Sequence, residues 1–309
     1  MKTTNIIIID HVHPILLDEL RDYDVRYLPD IQPSALSPEL ITAEVVVVRS
    51  KLRFIKEWID KAPKLKMIAR LGSGMDNIDM AYAKEKGVTC INAPEGNRNA
   101  VAEQTVGMML SLLSNTFKGS SEIGKGIWDR KGNEGLELQN LTVGIIGFGN
   151  VGSTLASRLS SFGCKILAYD RFISGYGNGI VHECTLEYLQ KNCDIITLHT
   201  PLNKFSKNMV NSEFIEEVEK PFFLLNLSRG EVVVIKDLIK GLQSKKILGA
   251  ALDVLPNEQL DSYSKKERKQ LIYLSDNERV ILSPHIGGLT KDSFKKLAEV
   301  LAIKIKKEL

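Results

Sequence analysis

The stretch Val143-Gly-Ile-Ile-Gly-Phe-Gly-Asn-Val-Gly152 decides the fold of this chain, because it joins a strand-like apolar run to a glycine turn. Its glycines include the spacing GxGxxG, at Gly147, Gly149 and Gly152. A helix-forming segment follows the turn, and the next apolar run ends in Asp170, 23 residues after Gly147. Strand, glycine turn, helix and acidic residue in this order predict a βαβ unit that binds a dinucleotide.

Each glycine of this turn has a physical reason. Gly147 permits a tight turn, Gly149 lets the backbone approach a pyrophosphate, and Gly152 lets the helix pack close to the strand. The helix is predicted over 151–162, so Asn150 precedes it and Val151 begins it, and both are candidate cofactor-binding residues. The partial positive charge at the helix N-terminus attracts the pyrophosphate.

The residues after the second strand bear on the choice of cofactor. Asp170 can accept hydrogen bonds from the ribose hydroxyls, and its charge repels a 2′-phosphate, which favours NAD. Arg171 follows directly and can contact either the adenine or a 2′-phosphate, so this residue leaves NADP open.

Short apolar runs alternate with helical segments along the whole chain. They occur at 6–9, 45–48, 65–68 and 88–91, and a second series begins at 142–146. Between the series lie a helical segment, 100–113, and a Gly-rich polar connector, 119–135. Continuous apolar runs suit strands buried on both faces of a parallel sheet. The pattern predicts an α/β protein of two doubly wound parallel-sheet domains, divided near residues 95 and 286.

Composition and charge exclude several classes of protein. The 309 residues include 41 Lys and Arg and 38 Asp and Glu, which gives a formal net charge of +3. A typical nucleic-acid-binding domain carries far more positive charge than this. The four cysteines form no CxxC pair and have no His at metal-ligand spacing, so we expect reduced thiols and no metal. The N-terminus lacks the apolar stretch of a signal peptide, and no apolar run is long enough to span a membrane. A soluble, cytoplasmic protein is expected, with Trp58 and Trp128 packed in its interior.

Three further motifs come at or just after the ends of predicted strands. They are Asn226-Leu-Ser-Arg229-Gly230, Asp253-Val-Leu-Pro-Asn-Glu258 and Ser283-Pro-His285. Open α/β sheets bind ligands at the carboxyl ends of their strands. An Arg can bind a substrate carboxylate, a His can exchange a proton with the substrate oxygen, and a Glu can orient the imidazole. Arg229, Glu258 and His285 are therefore the candidate catalytic residues.

In the order of these motifs the chain resembles the D-2-hydroxyacid dehydrogenase family. The resemblance extends from Arg70-Leu-Gly-Ser-Gly-Met-Asp-Asn-Ile-Asp79 and Asn92-Ala-Pro-Glu-Gly-Asn97 through Val101-Ala-Glu103 to His199-Thr-Pro-Leu202 and the three motifs above. It implies a flavodoxin-like substrate domain formed by residues 1–95 and 286–309, with a Rossmann NAD-binding domain, 96–285, inserted between them. It also implies a homodimer formed largely through the cofactor domains.

The resemblance assigns roles to further residues. The backbone of Ser73 and Gly74 is expected to bind the substrate carboxylate. Asp253 is expected to contact the nicotinamide carboxamide. Asp170 is expected to hold the adenosine ribose, beside a wall contributed by His199, Thr200 and Pro201.

Within the family, the similarity is greatest to the short phosphoglycerate dehydrogenases, which lack a regulatory domain. Arg49 and Arg70, each at the end of a predicted strand, match arginines that face the active site there, and a phosphate dianion calls for such cations. This implies NAD-dependent oxidation of D-3-phosphoglycerate to 3-phosphohydroxypyruvate, a step of serine biosynthesis. A polar insert, 261–269, is expected to form a surface loop.

Two alternatives remain at this point. One is a glyoxylate or hydroxypyruvate reductase. Such an enzyme could prefer NADPH, because Arg171 can contact a 2′-phosphate. The other is an NADH-sensing binding protein that uses the same fold without turnover. Neither alternative involves a nucleic acid, a membrane or a metal.

Overall fold

A computed structural model describes residues 4–309 and divides into two compact units. The first unit runs to Arg98 and includes Leu289–Leu309, and the second spans Asn99–Gly288. Each division lies three residues beyond the domain boundaries proposed at 95 and 285.

Parallel strands and helices alternate in both units. In chain order they are β1 (Asn5–Ile8), α1 (Pro14–Glu19), β2 (Asp24–Tyr27), α2 (Pro33–Leu40), β3 (Val45–Val48), α3 (Lys56–Asp60), β4 (Met67–Arg70), α4 (Met80–Glu85), β5 (Thr89–Asn92), α5 (Pro94–Leu113), α6 (Thr116–Gly124), β6 (Thr142–Ile146), α7 (Asn150–Leu159), β7 (Lys165–Tyr169), β8 (Val181–Glu183), α8 (Leu186–Asn192), β9 (Ile195–Leu198), α9 (Ser212–Glu217), β10 (Phe222–Asn226), α10 (Ile235–Gln243), β11 (Ile247–Leu252), α11 (Lys265–Asp276), β12 (Val280–Leu282) and α12 (Lys291–Glu308).

The first unit is a five-stranded parallel sheet in the order β2-β1-β3-β4-β5, which is the flavodoxin-like order. Successive residues of β1 and β3 enter two different cores: Ile6 and Val45 pack on one face, Ile7 and Val46 on the other. Helix α12 packs on the first of these faces through Leu301 and its apolar neighbours. Because both faces are covered, the strands read as continuous apolar runs.

The second unit is a seven-stranded parallel sheet in the order β12-β11-β10-β9-β6-β7-β8. The chain reverses direction across the sheet at β6 and β9, which are neighbours, and this is the switch point where Rossmann folds bind dinucleotides. Val143 and Ile195 pack on one face, and Ile146 and Ile196 on the other. The prediction of two doubly wound parallel-sheet units is confirmed.

Several local predictions were wrong. Helix α5 begins at Pro94, six residues before the predicted segment, because proline is well suited to a first helical turn. The segment predicted as a connector contains most of α6. Half of the predicted insert loop belongs to α11, which starts with a capping box between Ser264 and Glu267. Trp128 is 80% exposed rather than interior. The four cysteines are free thiols, as expected.

Candidate active site

The glycine turn of the second unit joins β6 directly to α7. Gly147 has φ +96, and a Cβ there would lie 2.5 Å from the carbonyl oxygen of His199. A Cβ at Gly152 would overlap the carbonyl oxygen of Gly147, whereas one at Gly149 would meet no atom within 4 Å. Among residues 4–309, no side chain caps the N-terminus of α7. The turn therefore presents an open helix N-terminus beside an unobstructed glycine, which suits a pyrophosphate.

Asp170 lies at the end of β7, where its carboxylate organises the surrounding backbone. Its Oδ2 accepts a hydrogen bond from the amide of Phe148 at 2.8 Å. Its Oδ1 accepts from the amides of Phe172 and Ile173 at 2.8 and 3.0 Å. The carboxylate is thus held at the rim of the glycine turn. Its predicted contact with the adenosine ribose stays a prediction.

A cavity of about 320 Å³ brings most of the predicted cofactor residues together. Those lining it are Gly147, Gly149, Asp170, Arg171, His199, Thr200 and Pro201. Asn150, Val151, Gly152 and Asp253 are not among the lining residues: the first three belong to the first turn of α7. The guanidinium of Arg171, left open by the sequence, lies over the ring of Phe205 at 4.1 Å from its centroid.

Two neighbouring residues test whether this cavity fits a nucleotide. Burial lowers the pKa of His199 to about 3, so its imidazole is neutral, and its Nε2 lies 2.9 Å from Thr197 Oγ1. The hydroxyl of Thr200 is buried and has no hydrogen-bond partner within the described part of the chain. A polar group of a bound ligand can satisfy it. The cavity therefore fits the adenosine half of NAD.

His285 and Glu258 form the hydrogen bond that the sequence suggested. His285 Nδ1 lies 2.9 Å from both carboxylate oxygens of Glu258. This bond raises the pKa of His285 above its usual value, against the opposing effect of burial. Since Nδ1 is committed to Glu258, Nε2 is the atom free to exchange a proton with a substrate.

Arg229 follows β10, the strand that pairs with β11. The carbonyl of Arg229 accepts a hydrogen bond from Asn226 Nδ2 at 2.8 Å, and its Nη1 donates to the carbonyl of Ser228 at 2.7 Å. Its positive charge opposes protonation of His285 and so tends to lower the pKa of that residue. The carboxyl ends of β10, β11 and β12 thus bring Arg229, Glu258 and His285 to one edge of the sheet.

Asp253 lies inside the protein rather than at its surface. It is 2% exposed, and its carboxylate accepts hydrogen bonds from the amides of Ile286 and Gly287 at 2.9 and 2.8 Å. The structure gives it the role of fixing the loop that carries His285. Its predicted contact with the carboxamide stays a prediction.

The first unit presents its own set of predicted residues at strand ends. Arg70 ends β4 and pairs with Val48, the last residue of β3, so Arg49 and Arg70 emerge from adjacent strands. The amide of Arg49 donates to Asp10 at 2.6 Å, and its guanidinium lies 5.2 Å from the ring centroid of Phe294.

The turn after β4 is fixed through Ser73. The carbonyl of Ser73 accepts from Asn92 Nδ2 at 2.6 Å, and its hydroxyl donates to Asn97 Oδ1. The guanidinium of Arg70 occupies the space beside Gly72 that a Cβ would fill. The turn therefore places the Ser73–Gly74 backbone beside a cation.

Sequence reasoning missed four residues that support these sites: Asp10, Gln104, Ser283 and Phe294. Asp10 follows the first apolar run, which is a signal of the kind used for the other strand ends. No local pattern marks Gln104 or Phe294, because their partners lie far away in the sequence.

Residues 4–309 contain neither a candidate metal cluster nor a candidate membrane-spanning helix. Within 4–309 there is no group of three or more His, Cys, Asp or Glu residues arranged to hold a metal ion. Of the helices described, none has the length and apolar character needed to cross a membrane.

Comparisons with known proteins agree with this geometry. A family model described as the NAD-binding domain of D-isomer specific 2-hydroxyacid dehydrogenases matches residues 106–287. The D-3-phosphoglycerate dehydrogenase of Methanocaldococcus jannaschii is 33% identical over 308 residues, covering 98% of this chain and 57% of that protein. The hydroxypyruvate reductase of Thermotoga maritima is 34% identical over 266 residues, covering 86% of this chain and 85% of that protein.

A solved structure extends the similarity to both units. The D-lactate dehydrogenase of Aquifex aeolicus, complexed with NAD and lactic acid, has a TM-score of 0.84 at 27% identity and covers 99% of this chain and 95% of its own. The chain spans little more than half the length, 57% and 55%, of the phosphoglycerate dehydrogenases of M. jannaschii and rat. On the family match, the chain belongs to the D-isomer specific 2-hydroxyacid dehydrogenase family, and its second unit is an NAD-binding domain.

Proposed function

We propose that this chain is an NAD-dependent D-2-hydroxyacid dehydrogenase that interconverts D-3-phosphoglycerate and 3-phosphohydroxypyruvate, a step of serine biosynthesis. The observation that carries the choice of substrate is the pair Arg49 and Arg70, at the ends of adjacent strands beside the Gly72–Gly74 turn. A substrate with both a carboxylate and a phosphate dianion calls for more cations than lactate or glyoxylate does.

The proton chemistry is assigned to His285. In oxidation, neutral Nε2 accepts the proton of the C2 hydroxyl as the C2–O bond becomes a carbonyl. In reduction, protonated Nε2 returns that proton to the carbonyl oxygen. Glu258 supports both directions, because its bond to Nδ1 orients the ring and stabilises the imidazolium.

Arg229 is assigned to the substrate's carboxylate and carbonyl, which a guanidinium can bind through two parallel hydrogen bonds. The Ser73–Gly74 backbone is assigned to the same carboxylate. When bound, NAD supplies the acceptor for the hydride that leaves C2. The glycine turn, Asp170 and the cavity wall hold its nucleotide half in place.

A matched pair of substrates tests the proposal. Steady-state kcat/KM is measured with 3-phosphohydroxypyruvate and with hydroxypyruvate, which differ only in the phosphate, using NADH and NADPH. We expect kcat/KM to be higher with 3-phosphohydroxypyruvate than with hydroxypyruvate, and higher with NADH than with NADPH. Arg49→Leu should remove the preference for the phosphorylated substrate by raising the KM for 3-phosphohydroxypyruvate about 100-fold. Equal kcat/KM for the two substrates in the wild-type protein would contradict the assignment.

A hydroxypyruvate reductase is the second candidate, favoured by the T. maritima relative, whose match covers most of both chains. The same panel separates it from the first: hydroxypyruvate or glyoxylate would be the better substrate, and Arg49→Leu would change neither KM. NADPH preference would point to Arg171 as a 2′-phosphate ligand. No turnover of any 2-oxo acid, with NADH binding intact, would support the NADH-sensing alternative.

We also propose that the protein is a homodimer formed through the second unit. Large apolar side chains are exposed on α6 and the segment that follows it: Phe117, Ile123, Ile127, Trp128 and Leu136. Exposed apolar surface of this kind is typical of an interface. Light scattering of the wild type and of Trp128→Ser with Ile127→Ser tests this. We expect a dimer for the wild type and a larger monomer fraction for the variant, and a monomeric wild type would contradict the proposal.

A further inference from the structure

A partly buried cluster of hydrogen bonds lies beneath the loop that carries His285, and it includes a side chain from a distant helix. We propose that Gln104 of α5 is a positioning residue that holds His285 in its reactive orientation through Asp253 and Ser283. This inference rests on the role proposed for His285 in proton transfer. Neither the catalytic motifs nor the proposed function assigns Gln104 any part.

Asp253 binds three successive amides of the His285 loop. Its main-chain carbonyl accepts a hydrogen bond from the amide of His285 at 2.7 Å. Its Oδ1 accepts from the amide of Ile286 at 2.9 Å, and its Oδ2 from that of Gly287 at 2.8 Å. One buried residue therefore fixes the backbone on which the imidazole stands.

The backbone of His285 needs this support because of its conformation. Its φ is +53, in the left-handed region that residues with a Cβ rarely adopt. That conformation is less favourable than the ordinary regions, so it persists only where surrounding contacts hold it. The three amide bonds to Asp253 are those contacts, and they set the direction in which the imidazole leaves the loop.

Gln104 and Ser283 in turn hold the Asp253 carboxylate. Gln104 Nε2 lies 3.1 Å from Asp253 Oδ1 and 3.1 Å from Ser283 Oγ. The hydroxyl of Ser283 donates to the same Oδ1 at 2.5 Å. The two amide hydrogens of Gln104 and the single hydroxyl hydrogen of Ser283 are enough for these three bonds. Met108 Sδ, a weaker acceptor, lies 3.9 Å from Gln104 Nε2 and 4.0 Å from Ser283 Oγ.

Among residues 4–309, Gln104 alone brings a donor to this cluster from outside the strand-end loops. Asp253 and Ser283 follow β11 and β12, whereas Gln104 lies on α5, 149 and 179 residues away in the sequence. Loss of its amide would leave the carboxylate free to rotate with the loop. The hydrogen bond between His285 Nδ1 and Glu258 would then be formed for a smaller fraction of the time. The charged groups that act on the His285 ring are Glu258, Arg229 and Asp253.

Two variants at this position separate positioning from packing. Gln104→Met keeps nearly the same volume but removes both donors, and Gln104→Glu keeps the shape but turns a donor toward Asp253 into a second carboxylate. We expect kcat to fall about tenfold in Gln104→Met and further in Gln104→Glu, with the Kd for NADH unchanged. Gln139→Met, at an exposed glutamine bonded to Glu137, is the matched control and should retain wild-type kcat.

A direct titration makes the test independent of the substrate. The pKa of His285 is measured by NMR from its imidazole signal, assigned with His285→Gln, in the wild type and in Gln104→Met. We expect a lower pKa in the variant, because its imidazole spends less time bonded to Glu258. An unchanged pKa together with an unchanged kcat overturns the proposal, even if the melting temperature falls. Absence of wild-type turnover would contradict the proposed function, while the NMR titration would still decide the role of Gln104.

Discussion

Two glycine turns, one in each unit, follow buried parallel strands and yet present different chemistry. The turn after β6 leads at once into the ten-residue helix α7, and its first glycine packs against the backbone of His199. The turn after β4 leads into no helix until Met80, and its first glycine packs against the guanidinium of Arg70. One turn offers a helix N-terminus, which suits a pyrophosphate, and the other offers the guanidinium of Arg70, which suits a substrate anion.

The comparison teaches that the strand-and-turn framework does not select the ligand. The position that a Cβ would occupy lies against the backbone of His199 in the second unit and against the side chain of Arg70 in the first. Substitutions in the two units should therefore affect different ligands.

The largest effect is expected where the second unit performs proton chemistry rather than binding. His285→Gln removes the group assigned to exchange the proton and should lower kcat by about 1,000-fold in both directions. The Kd for NADH, measured by fluorescence, should stay within about twofold, because the glycine turn is untouched. A variant that retains wild-type kcat would remove His285 from the mechanism.

Alanine substitutions in the turns test the comparison itself. Gly149→Ala should weaken NADH binding on the order of 100-fold without lowering the melting temperature, because its Cβ meets no protein atom within 4 Å but would take space at the turn proposed to bind the pyrophosphate. Gly152→Ala should lower both the affinity for NADH and the melting temperature, because its Cβ would overlap the carbonyl oxygen of Gly147.

The matching change in the other turn should affect substrate binding but not NADH binding, although the φ of +158 at Gly72 means that it should also lower the melting temperature. Gly72→Ala should displace the Arg70 guanidinium and raise KM for 3-phosphohydroxypyruvate, with NADH affinity unchanged. If Gly72→Ala weakened NADH binding as strongly as Gly149→Ala does, the assignment of the two turns to different ligands would be wrong.

Removing the partner of His285 should move the pH profile rather than abolish turnover. Glu258 raises the pKa of His285, so Glu258→Gln lowers it toward the ordinary value. Reduction needs protonated His285 and is lost as pH rises through this pKa; its descending limb should therefore move to lower pH. Oxidation needs neutral His285, so its ascending limb should move in the same direction. We expect kcat for reduction at neutral pH to fall about tenfold, and superimposable profiles would disprove the pairing.

The smallest effect is expected at Phe294, whose ring lies beside the guanidinium of Arg49. Phe294→Leu removes the aromatic face over which the guanidinium lies, an interaction worth about 0.5–1 kcal/mol at a partly exposed site. KM for 3-phosphohydroxypyruvate should rise about threefold, with KM for hydroxypyruvate and kcat unchanged. Phe162→Leu, at a partly exposed phenylalanine of the second unit, is the control. Equal changes in both KM values would mean that Phe294 acts through packing alone.

Local patterns were sufficient wherever a function depends on neighbouring residues. Gly147, Gly149, Gly152 and Asp170 could be predicted because one strand, one turn and the next strand carry them all. The capping box that starts α11 was also visible as Ser264 and Glu267, but it was missed because the polar insert suggested a loop.

Contacts between distant segments could not be predicted in this way. Asp253 was singled out as the residue after a predicted strand, but its hydrogen bonds to the amides of the His285 loop are visible only in the fold. Gln104 has no distinguishing context, and only the packing of α5 against the ends of β11 and β12 gives it a role.

The sequence by itself determined the two doubly wound units, the glycine turn and the order of Arg229, Glu258 and His285, because buried parallel strands and tight turns impose local patterns on a chain. Only the tertiary structure decided which side chains hold those residues in place. Arg171 lies over Phe205, Arg49 over Phe294, and Asp253 beneath His285. The physical reason is that hydrogen bonds and ring contacts act over a few ångströms in space, whatever the distance along the chain.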